Sequence, residues 1–356
     1  MRWNMKTKII TIHGIPNFGS IFQSYALCEY LKAKGFGDVE LIDYNPPYYN
    51  KKTLRSLAGK ALNFRHYLKR KRKYRAFVER ELPLTEKSYS SIAELNSAEL
   101  PADLYLAGGD QLWNVYHNCG KDDAYKLTWA KGRKASYATS MGQTGFTKEQ
   151  LSALGEKISD FEAVSVRESS SVDMLSSVGI TAEHSVDPVY LLDPSHYERF
   201  VKPVNQPDYL LVYLVNPSKL LDDCIEFLSK KYGLKVILCS GFRRKCKCDE
   251  FLKDLGPDEM LSYIKGAKIV LSSSFHATSF SLIFKKQFFT ILPDEHTNER
   301  IVDLLKIMKL ESRIITEKSD LPAALSADID YSGFSDYAEH INESKAYLNR
   351  IINNDK

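Results

Sequence analysis

Short apolar runs alternate along this chain with stretches in which apolar residues recur every three or four positions. Lys8–His13, Val39–Asp43, Asp103–Ala107, Ala135–Thr139, Ala163–Val166 and Ala182–Val186 read as strands. Between them, Phe22, Ala26 and Tyr30, then Leu151, Leu154 and Ile158, then Val172, Leu175 and Val178 keep one helical face apolar. Strands that alternate with amphipathic helices predict a parallel sheet covered on both faces. Tyr44–Ser97 interrupts the rhythm with a Pro46-Pro47 turn and a basic helical insert.

The rhythm restarts after Asp187-Pro188, Asp193-Pro194, Pro203 and Pro207, which mark the expected interdomain crossing. The second set of strands is Tyr209–Val215, Lys235–Cys239, Ile269–Ser273, Phe288–Leu292 and Arg313–Thr316. Helical spacing lies between them at Leu220–Tyr232, Asp258–Lys265, Thr278–Phe284 and Glu299–Met308. Tyr337, Ile341, Leu348 and Ile351 keep an apolar face near the end, so that helix should pack. The expectation is an α/β chain with two Rossmann-like, doubly wound domains facing across a cleft. Residues 1–195 form the first, with the basic insert at about 46–97; residues 196–333 form the second; residues 334–356 pack back. A length of 356 residues accommodates both.

The totals exclude some classes. No apolar run approaches the ~20 residues needed to cross a bilayer, and the first residues, MRWNMKTKIITIHG, read as a strand, not a signal peptide. Six scattered cysteines suit a reducing cytoplasm better than a disulfide framework. Cys246-Lys247-Cys248 lacks the second ligand pair of a zinc site, so no metal is expected. Net charge is only +4, yet Lys51–Arg75 holds eleven Lys/Arg and no acid, interleaved with Leu57, Phe64 and Leu68. That pattern fits an interfacial helix on an anionic membrane, a nucleic-acid face, or a solvated helix.

Chemistry concentrates where strands give way to helices. LSSSFHATSF (Leu271 to Phe280) ends a strand in Ser272, Ser273 and Ser274 and opens a helix near His276. Free N–H groups and the positive dipole end make such a turn an anion cradle, and His276 can exchange a proton near neutral pH. A capping or packing histidine is the plainer alternative. In the first half, Asn17, Gly19, Ser20 and Gln23 follow the first strand, and Gly108, Gly109, Asp110, Gln111, Trp113 and Asn114 follow the third. Asp and Asn groups beside a Trp face suit a sugar, or simply build a turn. Neither segment is a dinucleotide or P-loop fingerprint. Arg167, at the end of the fifth strand, is either a carboxylate or phosphate clamp or a salt bridge to Glu168 or another acid. Arg243, Arg244 and Lys245 follow a strand in the second half and could also hold an anion.

At these residues the sequence resembles the polysaccharide pyruvyl transferase family. The matching pieces run nearly the whole chain: NFGSIFQSYAL at 17–27, AGGDQLWN at 107–114, ASYATSMG at 135–142, VSVRESSSVDML at 164–175, AEHSVDPVYLL at 182–192, SSSFHATSFSLIF at 272–284 and NERIVDLLKIMKL at 298–310. The resemblance implies a two-Rossmann-domain, GT-B-like fold. It also implies transfer of a pyruvyl group from phosphoenolpyruvate to a sugar, giving a cyclic ketal without metal or redox cofactor.

On that basis His276 is the general acid or base, Arg167 the anion clamp, and Ser272–Ser274 with Arg243–Lys245 the donor site. Asn17, Gly19, Ser20, Gln23, Gly108, Gly109, Asp110, Trp113 and Asn114 would meet the acceptor. The expected partners are phosphoenolpyruvate, a sugar or lipid-linked oligosaccharide and an anionic membrane surface through 51–75, with no nucleic acid. The expected place is the cytoplasm or the inner face of its membrane. One departure stands out: many family members carry arginine directly ahead of a Leu-His pair, where this chain has Ser274-Phe275-His276. Arg243, Arg244 or Lys245 then substitutes, the donor differs, or activity is weakened. A nucleotide-sugar glycosyltransferase and a catalytically silent member of a polysaccharide assembly complex are the alternative functions.

Overall fold

A computed structural model describes residues 5–35, 37–50, 63–213, 218–239, 246–292, 299–317, 319–320 and 329–353. The chain divides into two compact units. The first holds Met1–Lys51, Val78–Leu192 and Tyr337–Lys356, the second Lys52–Phe77 and Asp193–Asp336.

In the first unit, β1 (Lys6–Ile10), β2 (Asp38–Tyr44), β3 (Leu84–Tyr89), β4 (Leu104–Gly108) and β5 (Arg133–Tyr137) form a parallel sheet in the order β3-β2-β1-β4-β5. Parallel bridges Ala135–Ala163 and Thr139–Val166 continue it to β6 (Ser165–Val166), which pairs with β7 (Glu183–His184). Ile9, Ile10, Leu41, Ile42, Leu104 and Leu106 are completely or almost completely buried, as central parallel strands covered on both faces must be. Each such side chain contributes roughly 1.5–3 kcal/mol by leaving water.

The second unit repeats the plan. Strands β8 (Tyr209–Tyr213), β9 (Lys235–Cys239), β10 (Glu250–Leu252), β11 (Ile269–Ser272), β12 (Gln287–Ile291) and β13 (Ile314–Ile315) run parallel in the order β10-β9-β8-β11-β12-β13. In both units the order reverses beside the first strand, between β1 and β4 and between β8 and β11. Loops that leave neighbouring strands there go to opposite faces and open a crevice at the strand C-termini, where open α/β sheets bind ligands.

Two helices begin at those reversals. Helix α1 (Phe18–Ala33) follows β1 and is buried along almost its whole length. The helix Phe275–Ile283 follows β11, and all nine of its residues are buried. A helix that is buried all round is gripped on every side, which fixes the direction of its N-terminus. The sequence-based strand Lys8–His13 in fact ends at Ile10, so Thr11, Ile12 and His13 belong to the crevice turn.

Helix α2 (Phe64–Glu81) carries the basic insert, and its Phe64–Phe77 part falls in the second unit, not in the N-terminal domain expected. Its partners are distant in sequence. His66 and Lys69 reach Asp254 at 2.8 and 3.3 Å, Lys73 pairs with Glu259, and Phe77 packs on Phe200. The upstream portion of the basic stretch, 51–62, lies outside the described residues. Val78–Ser97 returns to the first unit and supplies β3, followed by α3 (Ile92–Ser97). Helices α4 (Lys148–Ile158) and α5 (Ser169–Ser176) follow in that unit. Helices α6 (Ser195–Glu198), α7 (Lys219–Tyr232), α8 (Pro257–Gly266), α9 (Phe275–Ile283) and α10 (Glu299–Ile307) belong to the second. The last helix, α11 (Phe334–Asn353), packs back onto the first unit from Tyr337 onward. Tyr347 donates to the Ser136 carbonyl at 2.7 Å, and Ser344 accepts from the Val186 N–H at 3.0 Å. No helix among the described residues is long and apolar enough to cross a membrane.

Candidate functional site

The reversal of the first unit is built from β1, α1 and β4. Asn17 caps α1, its side-chain oxygen accepting from the Gly19 N–H at 3.0 Å. One turn on, Ser20 donates to the Asp110 carboxylate, tying α1 to the loop after β4. Gln23 is fully buried, and its amide donates to Thr11, the Ser20 carbonyl and Ser24 at 2.8–2.9 Å. Its side-chain oxygen has no hydrogen-bond partner among the described residues. Gly109 adopts φ +62°, and a Cβ there would meet that oxygen at 1.7 Å; only glycine fits. Gly108 closes β4 against Leu27 of α1.

Asp110 also has a positive φ of 53°, a sparsely populated conformation for a side-chain-bearing residue. Its carboxylate accepts from the Gln111 N–H at 2.8 Å, and its carbonyl from Ser140 at 2.8 Å. Asn114 is buried, with its oxygen accepting from the Tyr116 N–H at 3.1 Å. The structure therefore gathers Asn17, Gly19, Ser20, Gln23, Gly108, Gly109, Asp110 and Asn114 around one turn.

Trp113 does not join them as a stacking platform. It has no exposed surface, its indole N–H donates to the Tyr125 carbonyl at 3.2 Å, and Phe161 meets it edge-on. Its size fills the core; the expectation of a sugar-facing Trp is corrected.

Arg167 is held in a buried ion pair. It is 4% exposed, and its guanidinium pairs with Asp187 and lies 3.8 Å from Glu168. Burial opposes its charge, but Asp187, Glu168 and Asp110 hold its pKa above the usual arginine value. Glu168 is fastened by Ser140, the Met141 N–H and Ser171. Three carboxylates, Asp187, Glu168 and Asp110, thus act on this one guanidinium. The ion-pair alternative describes it.

His13, to which sequence reasoning gave no role, also belongs to this turn. Its Nε2 lies 2.9 Å from Asp43 and its Nδ1 3.2 Å from the Thr11 carbonyl. Both nitrogens face acceptor oxygens. Burial raises the Asp43 pKa, yet the His13 hydrogen bond and charge, with Ser88 and Asn45, bring it below the usual carboxylate range. Cys119 is no nucleophile: burial and then Asp110 push its thiol up to about 12.

In the second unit the reversal lies at the end of β11. Ser272 donates to the Tyr213 carbonyl of β8 at 2.8 Å and accepts from the Ser274 N–H at 2.9 Å. Ser274 caps α9, its hydroxyl facing the Ala277 N–H at 3.5 Å, and Ser273 is buried between them. His276 sits in the first turn, 6% exposed, its ring meeting Phe275 edge-on at 5.2 Å. No acidic residue occupies that turn. Arg300, from α10, holds its guanidinium 5.7 Å from the Phe275 ring centroid. A cation beside a positive helix end raises the local potential, which a bound anion offsets. The only sequence signal for Arg300 is its place in the NERIVDLLKIMKL piece. Arg243, Arg244 and Lys245 lie outside the described residues. Among the described residues no group of three or more His, Cys, Asp and Glu gathers as metal ligands.

These features can be set beside known proteins. The sequence model of the family described as polysaccharide pyruvyl transferase matches residues 17–295. Among curated proteins none matches. Solved structures share the fold. A UDP-N-acetylglucosamine 2-epimerase is 10% identical with a TM-score of 0.57, over 98% of this chain and 94% of that one. The Rickettsia bellii UDP-N-acetylglucosamine 2-epimerase gives 12%, 0.55, 99% and 97%. The Methanocaldococcus jannaschii UDP-GlcNAc 2-epimerase, solved with UDP-GlcNAc and UDP, gives 14%, 0.53, 92% and 94%. The chain belongs to the polysaccharide pyruvyl transferase family, a family of transferases, on a GT-B-like fold of two Rossmann-like units.

Proposed function

We propose that this protein transfers a pyruvyl group from phosphoenolpyruvate to a sugar of a surface polysaccharide or its lipid-linked precursor, forming a cyclic ketal. The observation that carries the reading is the start of α9. There His276, serine-capped backbone N–H groups and Arg300 come together with no acid in the turn. Phosphoenolpyruvate brings a carboxylate and a phosphate, both of which this cradle suits.

In the scheme, His276 protonates the methylene carbon while a sugar hydroxyl attacks the adjacent carbon and releases its proton. Phosphate then leaves, and the second hydroxyl adds to the same carbon, losing its proton as the ring closes. The scheme uses no metal or redox cofactor. Arg300 supplies the charge that Ser274 lacks, in the place first expected of Arg243–Lys245. The turn holding Ser20, Gln23, Asp110 and Asn114 takes the acceptor hydroxyls, with Asn17 and the glycines shaping it. The reaction is proposed for the cytoplasm, where the six free cysteines remain reduced.

Titration calorimetry with phosphoenolpyruvate and with UDP-N-acetylglucosamine tests the donor. Heat from phosphoenolpyruvate alone is expected. Binding of the nucleotide sugar without phosphoenolpyruvate would assign the cradle to a glycosyl donor instead.

A further inference from the structure

The inner side of α2 is spoken for: His66 and Lys69 meet Asp254, Lys73 meets Glu259, and Tyr74 and Phe77 are buried. Its outer side is not. Phe64 and Leu68, one turn apart, are 56% and 46% exposed. Arg65, Lys71 and Arg72 are exposed around them and have no ion-pair partner among the described residues. From Phe64 to Val78 there is no Asp or Glu. The protein's net charge is only +4, so this face is not the local sample of a generally basic surface.

We propose that the outer face of α2 docks on an anionic lipid bilayer, lying in the interface with Phe64 and Leu68 inserted and Arg65, Lys71 and Arg72 on the headgroups. Each component has a physical role. Cations concentrate at a negatively charged bilayer, each strengthening partitioning by about fivefold. The apolar pair enters the acyl boundary without spanning it. A nucleic-acid face is the weaker fit, because two exposed apolar side chains at its centre would sit against phosphates; such faces are more polar. The proposal stands independently of the chemistry assigned to His276.

The test is co-sedimentation of the full chain with vesicles of phosphatidylcholine alone and of phosphatidylcholine mixed with phosphatidylglycerol, at low and high salt. The protein should pellet only with phosphatidylglycerol present, and salt should release it. Arg65→Ala/Lys71→Ala/Arg72→Ala should bind on the order of 100-fold more weakly, and Phe64→Ser/Leu68→Ser should also bind more weakly. Lys121→Ala/Lys131→Ala/Lys148→Ala changes the charge equally at exposed positions of the first unit and should bind as the wild type does. Thermal unfolding confirms that each variant is folded. Three results overturn the proposal: wild type left in the supernatant with phosphatidylglycerol vesicles, an α2 triple variant that pellets unchanged, or tight oligonucleotide binding with none to vesicles.

Discussion

Replacing Arg167 by Met removes one side of a buried pair. The remaining Asp187 keeps the Val189 N–H, at 3.1 Å, while Glu168 retains Ser140, Met141 and Ser171. Removing one partner of a buried ion pair costs about 3–5 kcal/mol. For a unit of this size each kcal/mol lowers the melting temperature by roughly 2–4 °C, so the expected loss is roughly 6–20 °C. Adding Asp187→Asn removes the stranded charge while keeping an oxygen for Val189, and should recover most of that loss. Scanning calorimetry reads both variants, and a phosphoenolpyruvate titration at a temperature where both are folded should show near-normal affinity. A folded Arg167→Met with unchanged melting and lost donor affinity would refute the reasoning and return Arg167 to the donor.

His276→Ala should lose on the order of 10²–10⁴ in turnover with its thermal unfolding unchanged, measured by phosphate release. Arg300→Met should weaken phosphoenolpyruvate binding by about 1.5–3 kcal/mol, or roughly 10- to 150-fold, by calorimetry. Asp43 has its folded pKa depressed, so the unfolded chain takes up its proton first as pH falls, and stability is lost through the acid range down to the folded pKa. Thermal unfolding followed against pH should therefore show a shallower acid slope in Asp43→Asn than in the wild type.

The parts of the fold that were legible in sequence are those whose burial leaves a continuous signature. The run Lys268-Ile269-Val270-Leu271 ending in serines announces β11 and the start of α9. The edge strands β3 and β10 were missed because they bury few side chains. LTEKSY buries only Thr85 and Tyr89 while its backbone does the pairing, so little apolar alternation is left to detect. Polar turns were found at both strand-order reversals because Gly, Asn and Ser mark them. Their members could not be sorted, since Trp113 in a core and Trp113 over a sugar read alike. Ion pairs across distance were invisible as well: nothing in the letters joins Arg167 to Asp187, or Lys73 to Glu259. That last pair is one of the contacts that group the Phe64–Phe77 part of the insert with the second unit.

The central claim is ketal transfer, and turnover tests it directly. Purified protein should be incubated with phosphoenolpyruvate and galactose, glucose or N-acetylmannosamine acceptors, with phosphate and the acceptor's mass followed together. The account predicts acceptor-dependent phosphate release, with one pyruvyl ketal gained per phosphate on at least one sugar. Contradiction would come as nucleoside diphosphate released from a UDP-sugar with these acceptors, while phosphoenolpyruvate stays intact throughout.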